Sequence, residues 1–194
     1  VIKSKRWLLA AAMLTVLGAL FFLVKQETVK LDAENIFAKS EENSETLNRA
    51  LKMLGQEMPN FTMLTPDQKE VSIDSFTDKP ILLIEWASWC PYCQEQLPVI
   101  QEVFDELGSQ IHFVALNVTD GREETQATAQ KYYLEEGFTF PYYLDINSKV
   151  ADQLQVETIP TLYIVDKTKK IKRIFVDHQS KDQLTKELKT VLKE

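Results

Sequence analysis

Ile81-Leu82-Leu83-Ile84-Glu85-Trp86-Ala87-Ser88-Trp89-Cys90-Pro91-Tyr92-Cys93 runs from a continuous apolar segment straight into a closely spaced cysteine pair. An unbroken run such as Ile81 to Ile84 predicts a strand buried on both faces. Beyond the cysteines, Leu97, Ile100, Phe104 and Leu107 recur at helical spacing, with Pro98 expected to kink the helix and Gly108 to end it. Further along, Ile111 to Val118 reads as the next apolar strand and Glu123 to Glu136 as a helix stopped by Gly137. Tyr142 to Leu144 reads as a short strand, followed by a brief helix ending near Leu154. The order βαβαβα implies an α/β fold with a parallel sheet and right-handed crossovers.

Working outward, Thr161 to Asp166 and Ile171 to Val176 are strands around Lys167-Thr168-Lys169-Lys170, expected to pair as an antiparallel hairpin. Ser180-Lys181-Asp182-Gln183 has the form of a capping box opening a last helix that carries Leu184, Leu188, Val191 and Leu192. On the other side, Asn60 to Leu64 and Glu70 to Ile73 flank Thr65-Pro66-Asp67-Gln68, whose turn chemistry predicts a hairpin.

A chain of 194 residues has room for one ordinary domain and an appendage. Its 29 acidic against 22 basic side chains give a net charge of -7, which argues against a nucleic-acid partner, since that mode of binding needs a basic footprint. Lys3, Lys5 and Arg6 precede Trp7 to Val24, an uncharged run of 18 residues. As a helix it reaches about 27 Å, close to the thickness of a membrane's hydrocarbon core. No small-x-small cleavage site follows closely, so an uncleaved anchor is favoured over a signal peptide. The basic residues ahead of it place the N-terminus in the cytoplasm and the rest outside. The expected divisions are a basic end at 1–6, a transmembrane helix at 7–24, an acidic tether at 25–54 and a folded domain at 55–194. Leu47, Leu51 and Leu54 mark a short amphipathic helix in the tether, read as covering the edge of that domain.

Cys90 and Cys93 lie one turn apart at the start of a helix, close enough to form a disulfide. The first occupies the position where unpaired amides and the helix dipole stabilise a thiolate. A purely structural bridge is the alternative, but closing so short a loop gains only about 2 kcal/mol in the chain-entropy model. A zinc site is the other, and His112 and His178 are poorly placed to complete one. A lone pair of cysteines in an α/β chain sent to a disulfide-permissive compartment favours redox exchange.

Trp86-Ala87-Ser88-Trp89-Cys90-Pro91-Tyr92-Cys93, with Ile159-Pro160-Thr161 further on, resembles the thioredoxin superfamily. Met58-Pro59-Asn60-Phe61, Lys79-Pro80 and the extra helix and strand between Asp120 and Leu144 look like its membrane-associated TlpA/ResA branch. The match covers roughly residues 55–194. It implies a thioredoxin-like fold with an N-terminal hairpin and a central helix-strand insertion. It further implies that Cys90 attacks a substrate disulfide, Cys93 resolves the mixed disulfide and Pro160 is a cis-proline. Ile159 then offers a backbone edge to the substrate, and Trp89, Pro91 and Tyr92 border it.

Three positions depart from the family's pattern. Ile84 stands six before the first cysteine, where the family often has an acid assisting the second thiol, and the neighbouring Glu85 points to the opposite face of the strand by alternation. Burial should raise the pKa of Glu85, which is carried forward either as a functional acid or as a structurally satisfied one. Gln96 stands six after Cys90 where the reductive branch commonly has Glu, and Glu95 is about 100° round the helix. Pro91-Tyr92 is the dipeptide of glutaredoxins, but two residues do not make a glutathione site.

The expected function is thiol-disulfide exchange with protein substrates at a bacterial cell membrane, on the extracytoplasmic side. It needs no metal and no cofactor beyond the redox-active Cys90–Cys93 disulfide. A reductant recharged by a membrane electron donor is favoured, because Tyr92 cannot supply the positive charge that oxidants of the superfamily often place between the cysteines. An oxidant that introduces disulfides into exported proteins, passing electrons to a membrane acceptor, and a redox-switched adaptor without turnover are the alternatives.

Overall fold

The computed structural model describes Arg49 and residues 51–194. The anchor expected at Trp7 to Val24 and most of the tether lie outside the described residues. Among the described residues no helix is long and apolar enough to cross a membrane.

Seven strands form one sheet in the order β2-β1-β5-β4-β3-β6-β7. They are β1 (Thr62–Leu64), β2 (Glu70–Ser72), β3 (Ile81–Trp86), β4 (His112–Thr119), β5 (Tyr142–Ile146), β6 (Thr161–Val165) and β7 (Ile171–Phe175). β3, β4 and β5 are parallel to one another, as the alternation of strands and helices requires. The hairpin β1–β2 joins the sheet antiparallel on β5, and β6–β7 joins antiparallel on β3. The result is a thioredoxin-like α/β fold with the expected N-terminal hairpin. Gly55 N–H donates to the Ile171 carbonyl at 2.8 Å and so ties the chain ahead of β1 to β7.

Four helices complete the domain: α1 (Pro91–Leu107), α2 (Gln126–Glu135), α3 (Lys149–Gln153) and α4 (Lys181–Val191). Every residue of β3 is buried, and its side chains alternate between two cores. Leu82, Ile84 and Trp86 pack with Leu97, Ile100 and Val103 of α1 and with Leu184 and Leu188 of α4. Ile81 and Leu83 pack with Val114, Tyr163, Val150 and Leu154 on the other face. The cysteines belong to the first core.

Several boundaries differ from expectation for local reasons. Pro98 lies within α1 without ending it. Gly108 follows α1 at φ -59, so no left-handed turn is needed there; instead a Cβ would stand 2.7 Å from the Phe104 carbonyl oxygen. Gly137, at φ 69, does have the left-handed conformation that stops a helix. α2 starts at Gln126 rather than Glu123, because Asp120 Oδ1 accepts from the N–H groups of Arg122 and Glu124 at 2.8 and 2.9 Å and holds a turn there. Thr125 and Thr128 then cap α2 reciprocally. At α4, Ser180 Oγ accepts from Gln183 N–H at 3.3 Å, one half of the expected capping box. Leu51 and Leu54 remain exposed, so these members of the tether stripe do not cover the domain edge as expected.

Candidate active site

β3 delivers the chain to the top of the sheet, and Ala87, Ser88 and Trp89 turn it into α1. Cys90 is the N-cap of α1, with extended backbone, and its sulfur accepts from Cys93 N–H at 3.2 Å. Pro91 follows at the first helical position, where its missing N–H costs nothing. The one-turn spacing folds both sulfurs toward the same end of the helix. Cys90 is 3% exposed and Cys93 is fully enclosed, and both are free thiols.

The two thiols differ sharply in acidity. A hydrogen bond from the Cys93 thiol, supported by the amides of Cys93 and Tyr92 and opposed by burial, brings Cys90 down to about 7. The same hydrogen bond, together with burial, pushes Cys93 far up. At neutral pH one sulfur is therefore a ready nucleophile and the other a held-back thiol.

β6 supplies the facing wall. The Ile159–Pro160 peptide bond is cis, and the Ile159 carbonyl oxygen lies 3.5 Å from Cys90 Sγ, within reach of a thiol donor. Trp89 and Tyr92 are 50% and 66% exposed, and Pro91 is exposed beside them, so the rim is apolar and open to a partner. The structure thus brings Cys90, Cys93, Pro160, Ile159, Trp89, Pro91 and Tyr92 together.

It does not bring Glu85 to them. Glu85 lies on the opposite face of β3, fully buried, with neither oxygen bonded to a partner among the described residues. Burial first, then the charge of Asp145, raises its pKa well above the usual carboxylate range. It is neither beside the thiols nor tied to an amide or lysine, the two alternatives posed by the sequence. Gln96 is also spoken for: its Nε2 donates to the Gln179 carbonyl at 3.2 Å and its Oε1 accepts from Gln179 N–H at 2.6 Å, so it clamps the approach to α4. Glu95 is exposed.

The acid on the cysteine side is Glu124, which sequence reasoning took only as part of a helix. It is 1% exposed, and its oxygens accept from Ser88 Oγ at 2.7 Å and Asn117 Nδ2 at 2.8 Å. Its charge adds to the forces that keep Cys93 protonated. Among the described residues no cluster of His, Cys, Asp or Glu could hold a metal ion.

Residues 54–174 match the family model described as the AhpC/TSA family. Thioredoxin-like protein YneN of Bacillus subtilis is 30% identical over 137 residues, 69% of this chain and 78% of that protein. Thiol-disulfide oxidoreductase ResA of Bacillus thuringiensis is 25% identical over 139 residues, 71% of this chain and 78% of that protein. Among solved structures, a DsbF homologue from Corynebacterium diphtheriae superposes with a TM-score of 0.62 at 26% identity, over 69% of this chain and 85% of that one.

Proposed function

The chain belongs to the AhpC/TSA family and is a thioredoxin-like thiol-disulfide oxidoreductase; from that premise we propose that it reduces protein disulfides through Cys90 and Cys93 on the extracytoplasmic side of a bacterial membrane. The observation that carries the roles is the contrast between the cysteines. Cys90 sits at the helix N-terminus beside the Ile159 carbonyl, while Cys93 is enclosed behind it. Cys90 attacks one sulfur of a substrate disulfide, whose other sulfur leaves as a thiolate and takes a proton from water. Cys93 then gives up its proton and attacks Cys90, releasing the reduced substrate and leaving a Cys90–Cys93 disulfide. The exposed Trp89 and Tyr92 and the Ile159 backbone edge suit an extended peptide carrying that disulfide.

Direction follows from how the Cys90 thiolate is stabilised. Strong oxidants owe their potential to a reduced form held by a very acidic thiol. Cys90 reaches only about 7, by a thiol and two amides with no cation contributing. The potential should therefore lie nearer the about -270 mV of thioredoxin than the about -120 mV of strong oxidants. A glutathione titration of the full chain tests this, and a value near the oxidant end would favour the disulfide-introducing alternative.

The anchor at Trp7 to Val24 supplies the location, and a membrane electron donor would restore the dithiol. Full-length protein should stay with membranes under alkaline extraction, its C-terminal domain open to protease from outside. A soluble product beginning after Val24 would defeat the anchor.

A further inference from the structure

β7 ends at Phe175, whose register partner on β6 is Leu162, so residues 176–179 leave the sheet beside the chain that enters β6 from Ile159 and Pro160. Ile159 and Phe175 both pack against the core that holds the two cysteines. The far end of this short loop is fixed to the cysteine helix. Gln96 lies on the buried face of α1, one turn after Cys93. Its Nε2 donates to the Gln179 carbonyl at 3.2 Å and its Oε1 accepts from Gln179 N–H at 2.6 Å. Both residues are buried. Gln179 stands just ahead of Ser180, the N-cap of α4, so the helix ladder offers its backbone no partner. The Gln179 side chain folds back over the loop, its Nε2 donating to the Asp177 carboxylate and to the His178 carbonyl at 3.0 Å. Asp177 and His178 themselves are exposed. The loop is thus anchored at one end beside the Ile159 edge and at the other to the helix that carries Cys90 and Cys93.

We propose that Gln96 is a positioning residue for substrate: by clamping Gln179 it fixes residues 176–179 as a wall of the substrate site, continuous with the Ile159 edge. This rests on the reading above, in which a peptide lies along Ile159 and is attacked by Cys90. The clamp needs an amide. A carboxamide offers both a donor and an acceptor to the C=O and N–H of one residue, whereas a carboxylate only accepts and would set an oxygen against the Gln179 carbonyl.

Without the clamp, two backbone groups of a buried residue lose their partners, and that end of the loop is free to turn toward water. A wall that each arriving peptide has to order weakens binding rather than the exchange of sulfurs. Gln96 itself makes no bond to the substrate, and exchange stays with Cys90 and Cys93.

The test reacts the reduced full-length chain with an increasing excess of a disulfide-bonded peptide and reads the half-saturating concentration and the limiting rate of peptide reduction. Gln96→Leu should raise the half-saturating concentration about ten-fold, the scale of a buried hydrogen bond, with the limiting rate changed far less. In Gln96→Glu a protonated carboxyl can still donate to the Gln179 carbonyl, so half-saturation should match wild type at about pH 5 and lie above it at about pH 8. Wild type, measured at both pH values, carries the titrations of Cys90, Asp177 and His178 and is the reference. A role in stability alone would lower the melting temperature of these variants and leave half-saturation in place. Gln179→Ala keeps the backbone clamp but releases Asp177 and His178; it should raise half-saturation by less, and it keeps the test open should Gln96→Leu not fold. Unmoved half-saturation in folded Gln96→Leu or in Gln179→Ala, a loss confined to the limiting rate, or a Gln96→Glu effect equal at both pH values would overturn the proposal. No reduction of the peptide by wild type would instead overturn the roles of Cys90 and Cys93.

Discussion

Cys90 Sγ and the carbonyl oxygen of Ile159 stand 3.5 Å apart, across the gap between the start of α1 and the loop that leads into β6. The proposed nucleophile and the backbone edge proposed for a substrate chain are thus set side by side by elements far apart in sequence. Because β6 pairs antiparallel with β3, Thr161 is held in register with Glu85 at the base of the loop that carries Cys90. A peptide aligned along Ile159 would have its disulfide carried to Cys90 without rearrangement of the sheet.

Iodoacetamide should modify Cys90 well before Cys93. The thiolate fraction of Cys90 grows as pH rises through about 7, so its alkylation rate should increase over that range and level off above it. Cys93, held protonated by its bond to Cys90 and by burial, should stay largely unmodified until much higher pH. Peptide mapping after timed alkylation checks both expectations, and equal rates would reverse the roles.

Glu85 should matter for stability and not for the rate of exchange. Its folded pKa lies above its unfolded one, so the folded state binds the proton more tightly. Stability is therefore full below the unfolded value of about 4.5 and declines as pH rises from there toward the folded value. Glu85→Gln should flatten that decline and leave mixed-disulfide resolution near wild type. Glu85→Met, which removes two unsatisfied buried oxygens, should stabilise the protein at neutral pH by about 1 to 3 kcal/mol. Melting curves across pH, read beside single-turnover kinetics, decide this; a resolution rate ten-fold lower in Glu85→Gln would place Glu85 in the chemistry after all.

Gly108→Ala should destabilise the domain although the backbone conformation there is ordinary. The added methyl would stand 2.7 Å from the Phe104 carbonyl oxygen and 2.9 Å from its ring, and relieving that overlap should cost about 1 to 3 kcal/mol. Chemical denaturation measures it, and an unchanged midpoint would show that the Phe104 ring yields freely.

Much of this architecture is legible in the sequence because it rests on short-range patterns. The apolar run Ile81 to Ile84, the helical spacing of Leu97, Ile100, Phe104 and Leu107, and the turn residues between β1 and β2 each satisfy one period or one backbone requirement. Alternation along β3 also assigned Glu85 to the face away from Ile84, and the two cores bear that out. What alternation cannot carry is whether Asp145, Tyr163 or a hydrogen-bond donor meets that side chain, since they come from other strands. Glu124 was hidden for a related reason. An acid just ahead of a helix reads as part of its first turn, and only the Asp120 turn, a long-range pairing with Ser88 and the neighbouring strand residue Asn117 turn it toward the loop that leads from β3 to Cys90. Gly108 looked like a conformational stop and is a close approach, a distinction that depends on where Phe104 packs.

Thiol exchange in two steps through Cys90 and then Cys93 is tested most directly by mass spectrometry of the reduced full-length chain mixed with a disulfide-bonded peptide. Wild type should yield reduced peptide and a Cys90–Cys93 disulfide, Cys93→Ala should accumulate a mixed disulfide on Cys90, and Cys90→Ala should form no adduct. An adduct on Cys93, or reduction of the peptide by Cys90→Ala at the wild-type rate, would contradict the account.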